Sequence, residues 1–198
     1  MPKIKEKRLN ITPAQEIKIL RRIVEITNSS LDLNRILGEM VNVVNDMTHA
    51  DSVFIYLFDE KKRYLVLMAS KIPHQKELGS LNLKIGEGIT GWVAKENKPV
   101  VINNKAYLDP RFKNLDVLRE DKYEAFLSVP IVCNGDCIGV INVQHKKSHE
   151  YAMNTVNLIS IIAKQTGGVI VNARLYEDKR RSEFIRIGTS FSQKTHVA

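Results

Sequence analysis

Two cysteines, no long apolar run and no intact catalytic signature mark what this 198-residue sequence does without. No apolar stretch approaches the roughly 20 residues that cross a bilayer. The first residues are charged rather than signal-like. A cytoplasmic protein with no membrane contact is therefore expected. No Gly-x-Ser-x-Gly elbow, His-Arg-Asp or Asp-Phe-Gly occurs, which removes serine hydrolases of that type and protein kinases. There is no internal repeat and no low-complexity block. The thiols, Cys133 and Cys137, flank Asn134-Gly135. A two-residue type I′ turn there pairs Cys133 with Asp136 and Cys137 with Val132. Alternation then sends the two thiols to opposite faces, so a disulfide between them is not expected. Free thiols fit a reducing compartment.

What is present is ordinary globular material, 43% apolar and 26% charged, enough for one good core and short for two. The net charge of +8 raises the question of nucleic acid. Its location answers it. Residues 1–8 carry +3 and residues 178–198 carry +3, leaving +2 for everything between. Solvated ends account for the excess, and direct nucleic-acid binding is not expected.

Thr12-Pro13-Ala14-Gln15 reads as a capping box opening a helix over 12–28, with Ile17, Leu20, Ile23 and Val24 at helical spacing. Asp32 can cap a second helix carrying Ile36, Leu37, Met40, Val41, Val44 and Met47. Strands are expected near 52–58, 64–70, 100–103, 126–133 and 137–145, with a further one near 80–85. The first two do not alternate cleanly, which predicts a sheet covered on both faces. A long helix is expected from about Glu150 to Lys179. This order predicts an α+β domain on a central antiparallel sheet of five to six strands. The terminal helices lie on one face, and a roof of short helices and loops lies on the other.

Gly86-Glu-Gly88-Ile-Thr-Gly91 fits a dinucleotide fingerprint, but only two helical turns follow and Asn103-Asn104 stand where a ribose-binding acid belongs. As a kinase phosphate loop it lacks the lysine in the next strand. The glycines still permit a tight turn, and the helix after it can present free N–H groups. His145 and His149 have metal-like spacing without companion ligands, and a pair of surface histidines is the simpler reading. Tyr107, Arg111, Phe112, Asp116, Tyr123 and Phe126 crowd a long loop and the strand beside it, which suggests a pocket lining. Taken singly, each aromatic could merely pin the loop. Arg111 is the best partner for an anionic group, with a structural tie to Asp109 or Asp116 as the alternative.

Gly86-Glu-Gly-Ile-Thr-Gly-Trp-Val-Ala, Asp109-Pro-Arg-Phe112, Ser128-Val-Pro-Ile131 and Gly139-Val-Ile-Asn-Val143, in that order, resemble the GAF domain. This is a sensory module of bacterial signalling proteins and cyclic-nucleotide phosphodiesterases. The resemblance covers roughly residues 15–177. It implies a GAF/PAS-like fold with a small-molecule pocket lined by Phe54, Tyr56, Thr90, Tyr107, Arg111, Phe112, Asp116, Phe126 and Ser128. It also implies a homodimer through helices 12–28 and 150–179, and an output domain (kinase, ANTAR or transcription activator) in a longer parent. The corresponding organisation is a basic tail at 1–11, a sensory domain at 12–177 and a charged helical linker or tail at 178–198.

Phe112-x-x-x-Asp116 echoes the cyclic-nucleotide signature of the family, but Val117 replaces its glutamate. No cysteine is placed for bilin attachment. Free methionine sulfoxide reductase, an enzyme of the same fold, keeps a catalytic cysteine where Thr90 stands here, and a hydroxyl does no thiolate chemistry. A non-catalytic, ligand-sensing regulatory domain without metal or cofactor is the expected function. The alternatives are a dimerisation scaffold with no ligand and a thiol redox enzyme of this fold.

Overall fold

The structure, a computed structural model, describes residues 12–29, 32–71, 77–113 and 123–194. The basic tail, Asp116 and Val117 fall outside these residues. Helix α1 (Pro13–Ser29) opens on the expected capping box: Thr12 N–H donates to Gln15 Oε1 (2.9 Å) and Gln15 N–H to Thr12 Oγ1 (3.3 Å). Helix α2 (Leu33–Thr48) is capped by Asp32, whose carboxylate accepts from Asn34 N–H and Arg35 N–H. Strand β1 (Ser52–Phe58) turns back into β2 (Tyr64–Ser70), and β3 (Asn82–Lys84) pairs with β2. Helix α3 (Gly88–Glu96), β4 (Val100–Ile102) and a 3-10 turn (Ala106–Leu108) follow. The β5 (Ala125–Cys133) and β6 (Asp136–His145) hairpin leads to α4 (Met153–Lys194).

All strands pair antiparallel in one sheet, ordered β3-β2-β1-β6-β5-β4. The expected α+β architecture is present. β1 is buried at all seven positions, as its non-alternating sequence implied, whereas β2 does alternate. The 80–85 strand shortens to three residues. Asn134 and Gly135 adopt positive φ, and Cys133 pairs with Asp136 and Val132 with Cys137, the expected hairpin register. The long helix begins three residues later than expected, at Met153. Asn103 delays it: its carbonyl accepts from His149 N–H (3.0 Å) and its Oδ1 from Tyr151 N–H (3.3 Å). α4 then runs on through the charged segment to Lys194. No helix among the described residues is long and apolar enough to cross a membrane.

Strand alternation divides the interior in two. Val53, Ile55, Leu57, Leu127, Ile141 and Val143 face α1, α2 and α4, where Ile23, Ile36, Leu37, Met40, Ile159 and Ile162 meet them. Phe54, Tyr56, Leu67, Phe126 and Val140 face the other way, toward Ile89 and Val93 of α3. Helix α4 lies close on β5 because residue 167 is glycine. A Cβ there would stand 2.5 Å from the Val132 carbonyl.

The histidine pair corrects the surface reading. His145 is 7% exposed, with Nε2 3.3 Å from the Thr48 carbonyl at the end of α2. The Tyr151 hydroxyl, which has one proton, stands 3.0 Å from both His145 Nδ1 and the Val143 carbonyl. His149 stacks on the His145 ring at 3.8 Å. Burial, helped by the neighbouring His149, lowers the His145 pKa to about 4. No group of three potential metal ligands occurs among the described residues.

Two outcomes follow. Gly167→Ala should cost about 1–3 kcal/mol by overpacking. Gly168→Ala, which meets open space one residue on, should gain roughly 0.5–1 kcal/mol of helix stability. Urea unfolding of the pair checks this; equal effects of the two variants contradict the close approach. A depressed folded-state pKa means that the unfolded chain binds more protons between the two pKa values. Stability that is whole above pH 6.5 should therefore fall toward pH 4, by up to about 3 kcal/mol. A His145→Gln variant should show a flatter profile over that window.

Candidate functional site

The three glycines of the first motif have separable tasks. Gly86 and Gly88 adopt φ of +82° and +67°, the left-handed region that turns the chain into α3. Gly91 allows close approach, since a Cβ there would come 2.5 Å from the Lys84 carbonyl. The first intrahelical bond of α3 is Gly91 N–H to the Glu87 carbonyl. The N–H groups of Gly88, Ile89 and Thr90 precede it, at the positive end of the helix dipole. Glu87 occupies the cap position without capping. Its Oε2 accepts from Lys84 N–H (2.7 Å), and its Oε1 forms an ion pair with Lys113. Lys113 and the Lys84 amide hold the Glu87 carboxyl below the usual range.

The sheet answers this helix with polar side chains. Ser128 Oγ donates to Asn142 Oδ1 (2.7 Å), and Asn142 Nδ2 donates to Thr90 Oγ1 (2.7 Å). The three residues are 0%, 1% and 6% exposed, so this chain ties the start of α3 to β5 and β6 through the middle of an otherwise apolar layer. A cavity lies beside it, walled by Tyr56, Leu83, Gly88, Ile89, Thr90, Phe112, Lys113, Phe126, Asn142 and Gln144. Its volume is about 30 Å³, counted as the space open to the centre of a water-sized sphere.

Of the expected pocket residues, Tyr56, Thr90, Phe112 and Phe126 line the cavity. Ser128 stands one hydrogen bond behind, through Asn142. Phe54 is buried on the same sheet face, edge-on to Tyr56 at 6.2 Å, without reaching the wall. Tyr107 sits in the 3-10 turn, and Asp116 lies outside the described residues. Arg111 makes the tie to Asp109. Its Nε and a terminal nitrogen donate to the two Asp109 carboxylate oxygens at 2.9 and 2.8 Å. Its guanidinium also lies 4.6 Å from the Trp92 ring centre. The edge of the guanidinium meets Asp109 and one face meets Trp92, and Arg111 is not among the described residues that line the cavity. The Arg111 bond holds the Asp109 carboxyl below its ordinary range.

Sequence reading missed Asn142, Gln144 and Lys113. The signal for the first two was available: they are polar at alternate positions of a strand whose intervening residues, Ile141 and Val143, are apolar. That pattern places two amides inside, on the roofed face. Lys113 carried no comparable signal.

An antiparallel sheet with helices on one face and a roofed, partly polar cavity on the other is the architecture that the family resemblance implied. The GAF domain family model matches residues 32–170, and the chain belongs to that family. The GAF domain of the Acinetobacter phosphoenolpyruvate-protein phosphotransferase superposes with a TM-score of 0.75 at 30% identity, covering 83% of this chain and 97% of that one. Among curated proteins, the Escherichia coli phosphoenolpyruvate-dependent phosphotransferase system protein is 28% identical over 79% of this chain and 21% of its own length. The Nif-specific regulatory protein of Azospirillum brasilense is 26% identical over 84% of this chain and 27% of its own. The chain thus spans about a fifth to a quarter of these relatives, which carry the domain within larger proteins. Free methionine-R-sulfoxide reductase from Neisseria meningitidis shares the fold, with a TM-score of 0.70 at 18% identity.

Arg111→Ala should lower the stability of the ligand-free protein by about 1 kcal/mol, as a partly exposed pair warrants. Asp109→Asn should do much the same, and the double variant should cost less than the two single losses together. Urea denaturation of the three variants measures the coupling; strict additivity would remove the structural role.

Proposed function

We propose that this chain is a non-catalytic, small-molecule-sensing regulatory domain of a bacterial, cytoplasmic signal-transduction protein. The observation that carries the reading is the cavity between sheet and roof, walled by apolar side chains and floored by buried hydrogen-bonding groups. That composition suits a small ligand. Residues 12–177 serve as the sensory unit, and 178–198 as a charged linker toward an output domain in a longer parent. The family membership and the large size of the relatives support that arrangement.

Ligand state is read out through a homodimer of the terminal helices. Ile17 and Val24, seven residues apart on α1, are 64% and 57% exposed. Ile161 and Leu175 on α4 are exposed apolar residues with Gly168, which faces open space, midway between them. Such stripes suit helix pairing. Thiol catalysis has little support. Burial raises the Cys137 pKa, its Sγ hydrogen donates to the Gly139 carbonyl, and Cys133 lies near Gly167 on the other face. The small volume favours one competing reading, a dimerisation scaffold that binds nothing.

Native mass spectrometry of protein from its own host should reveal a retained small molecule, or thermal-shift screening should find one that stabilises the domain. Failure of both leaves the scaffold. Ile17→Glu with Leu175→Glu should shift the dimer toward monomer in analytical ultracentrifugation. Cys133→Ser with Cys137→Ser should preserve the ligand response.

A further inference from the structure

Three buried side-chain oxygens have no hydrogen-bond partner among the described residues: Ser52 Oγ, Ser70 Oγ and Gln144 Oε1. All three lie on the roofed face of the sheet. Ser52 is directly opposite Gln144, and Ser70 is opposite Phe54, two residues along the same face of β1 from Ser52. Ser52 is 0% and Gln144 3% exposed. An unpartnered buried polar atom carries a desolvation penalty that no bond offsets, so such an atom at a cavity wall calls for an occupant that supplies the missing bond. Gln144 also lines the cavity. A second, separate feature stands on the same wall: Gly88, Ile89 and Thr90 at the start of α3, with the Lys113 side chain next to them.

We propose, building on the sensory reading above, that the cavity takes a small carboxylate bearing an O–H or N–H donor on a neighbouring atom. The carboxylate meets the N–H groups of Gly88 to Thr90 and the Lys113 ammonium. The donor meets Gln144 Oε1. Lys113 is paired with the Glu87 carboxylate in this structure, so the ligand exchanges one carboxylate for another at that ammonium. The volume excludes a bulky anion. The selective element is Gln144, because a carboxylate without a donor leaves its carbonyl orphaned.

Three probes separate the parts: glycolate (anion and donor), acetate (anion alone) and ethylene glycol (donor alone). Each is titrated against the full chain and followed by NMR at the Gly88, Ile89 and Thr90 backbone amides and the Asn142 and Gln144 side-chain amides. Glycolate should bind about tenfold more tightly than acetate, the worth of one satisfied buried bond, and ethylene glycol weakest. Gln144→Met should bring glycolate and acetate within about twofold, Lys113→Gln should weaken both, and Glu87→Gln should tighten both. The spectrum of each variant reports its own folding. Ethylene glycol binding as well as glycolate, or a glycolate preference that survives Gln144→Met, overturns the assignment while the pocket stands. Silence of all three probes also overturns it. A molecule retained from the host would then keep the sensory reading alive, and its absence would end both.

Discussion

The Asn142 carboxamide holds two layers in register. On one side of the sheet, helices are fastened by wide apolar contact, with the close fit of Gly167 on β5 and the Arg174 bond to the Phe58 carbonyl setting α4. On the other, α3 reaches the sheet through apolar residues, the Asn97 amide on the Gly135 carbonyl at its end, and the buried chain Thr90 to Asn142 to Ser128 at its start. Each bond adds only about 1 kcal/mol, but breaking one leaves a buried group unpaired at greater cost. The roof is therefore fixed in position more than it is held by strength. The glycine turn depends on the same point. Gly86, Gly88 and Gly91 bring the start of α3 close enough for Thr90 to receive the Asn142 amide. The cavity is the space that remains where the chain of polar groups stops.

β6 belongs to both layers. Asn142 and Gln144 face the cavity, whereas Ile141 and Val143, which alternate with them, pack toward α2 and α4. A shift of that strand moves both faces together. The cavity wall and the terminal helices thus share one strand, buried on both sides.

Local chemistry made much of the fold legible. The capping box at Thr12, the Asp32 cap, the Asn134-Gly135 turn and the fully apolar β1 each follow from short-range rules, and each appears as expected. The site was less readable, because its residues are fixed by long-range packing. Arg111 looked like an anion ligand because guanidinium forks suit anions. The sequence also placed Asp109 two residues away, and Trp92 came near only through the fold. His145 looked exposed because its neighbours are charged, yet the last strand position points inward beneath Tyr151.

Helix α4 continues for about 30 Å past Ala173, the last buried side chain among those described, at 1.5 Å per residue. Beyond that residue the helix acts as a rigid shaft whose angular setting is fixed at its root by the close fit of Gly167 on β5. Each residue turns the shaft by about 100°. A segment following such a helix would be oriented by the number of residues between, so the spacing matters as much as any side chain. A one-residue change in length would rotate the far end by more than a quarter turn while leaving the sheet and the cavity untouched.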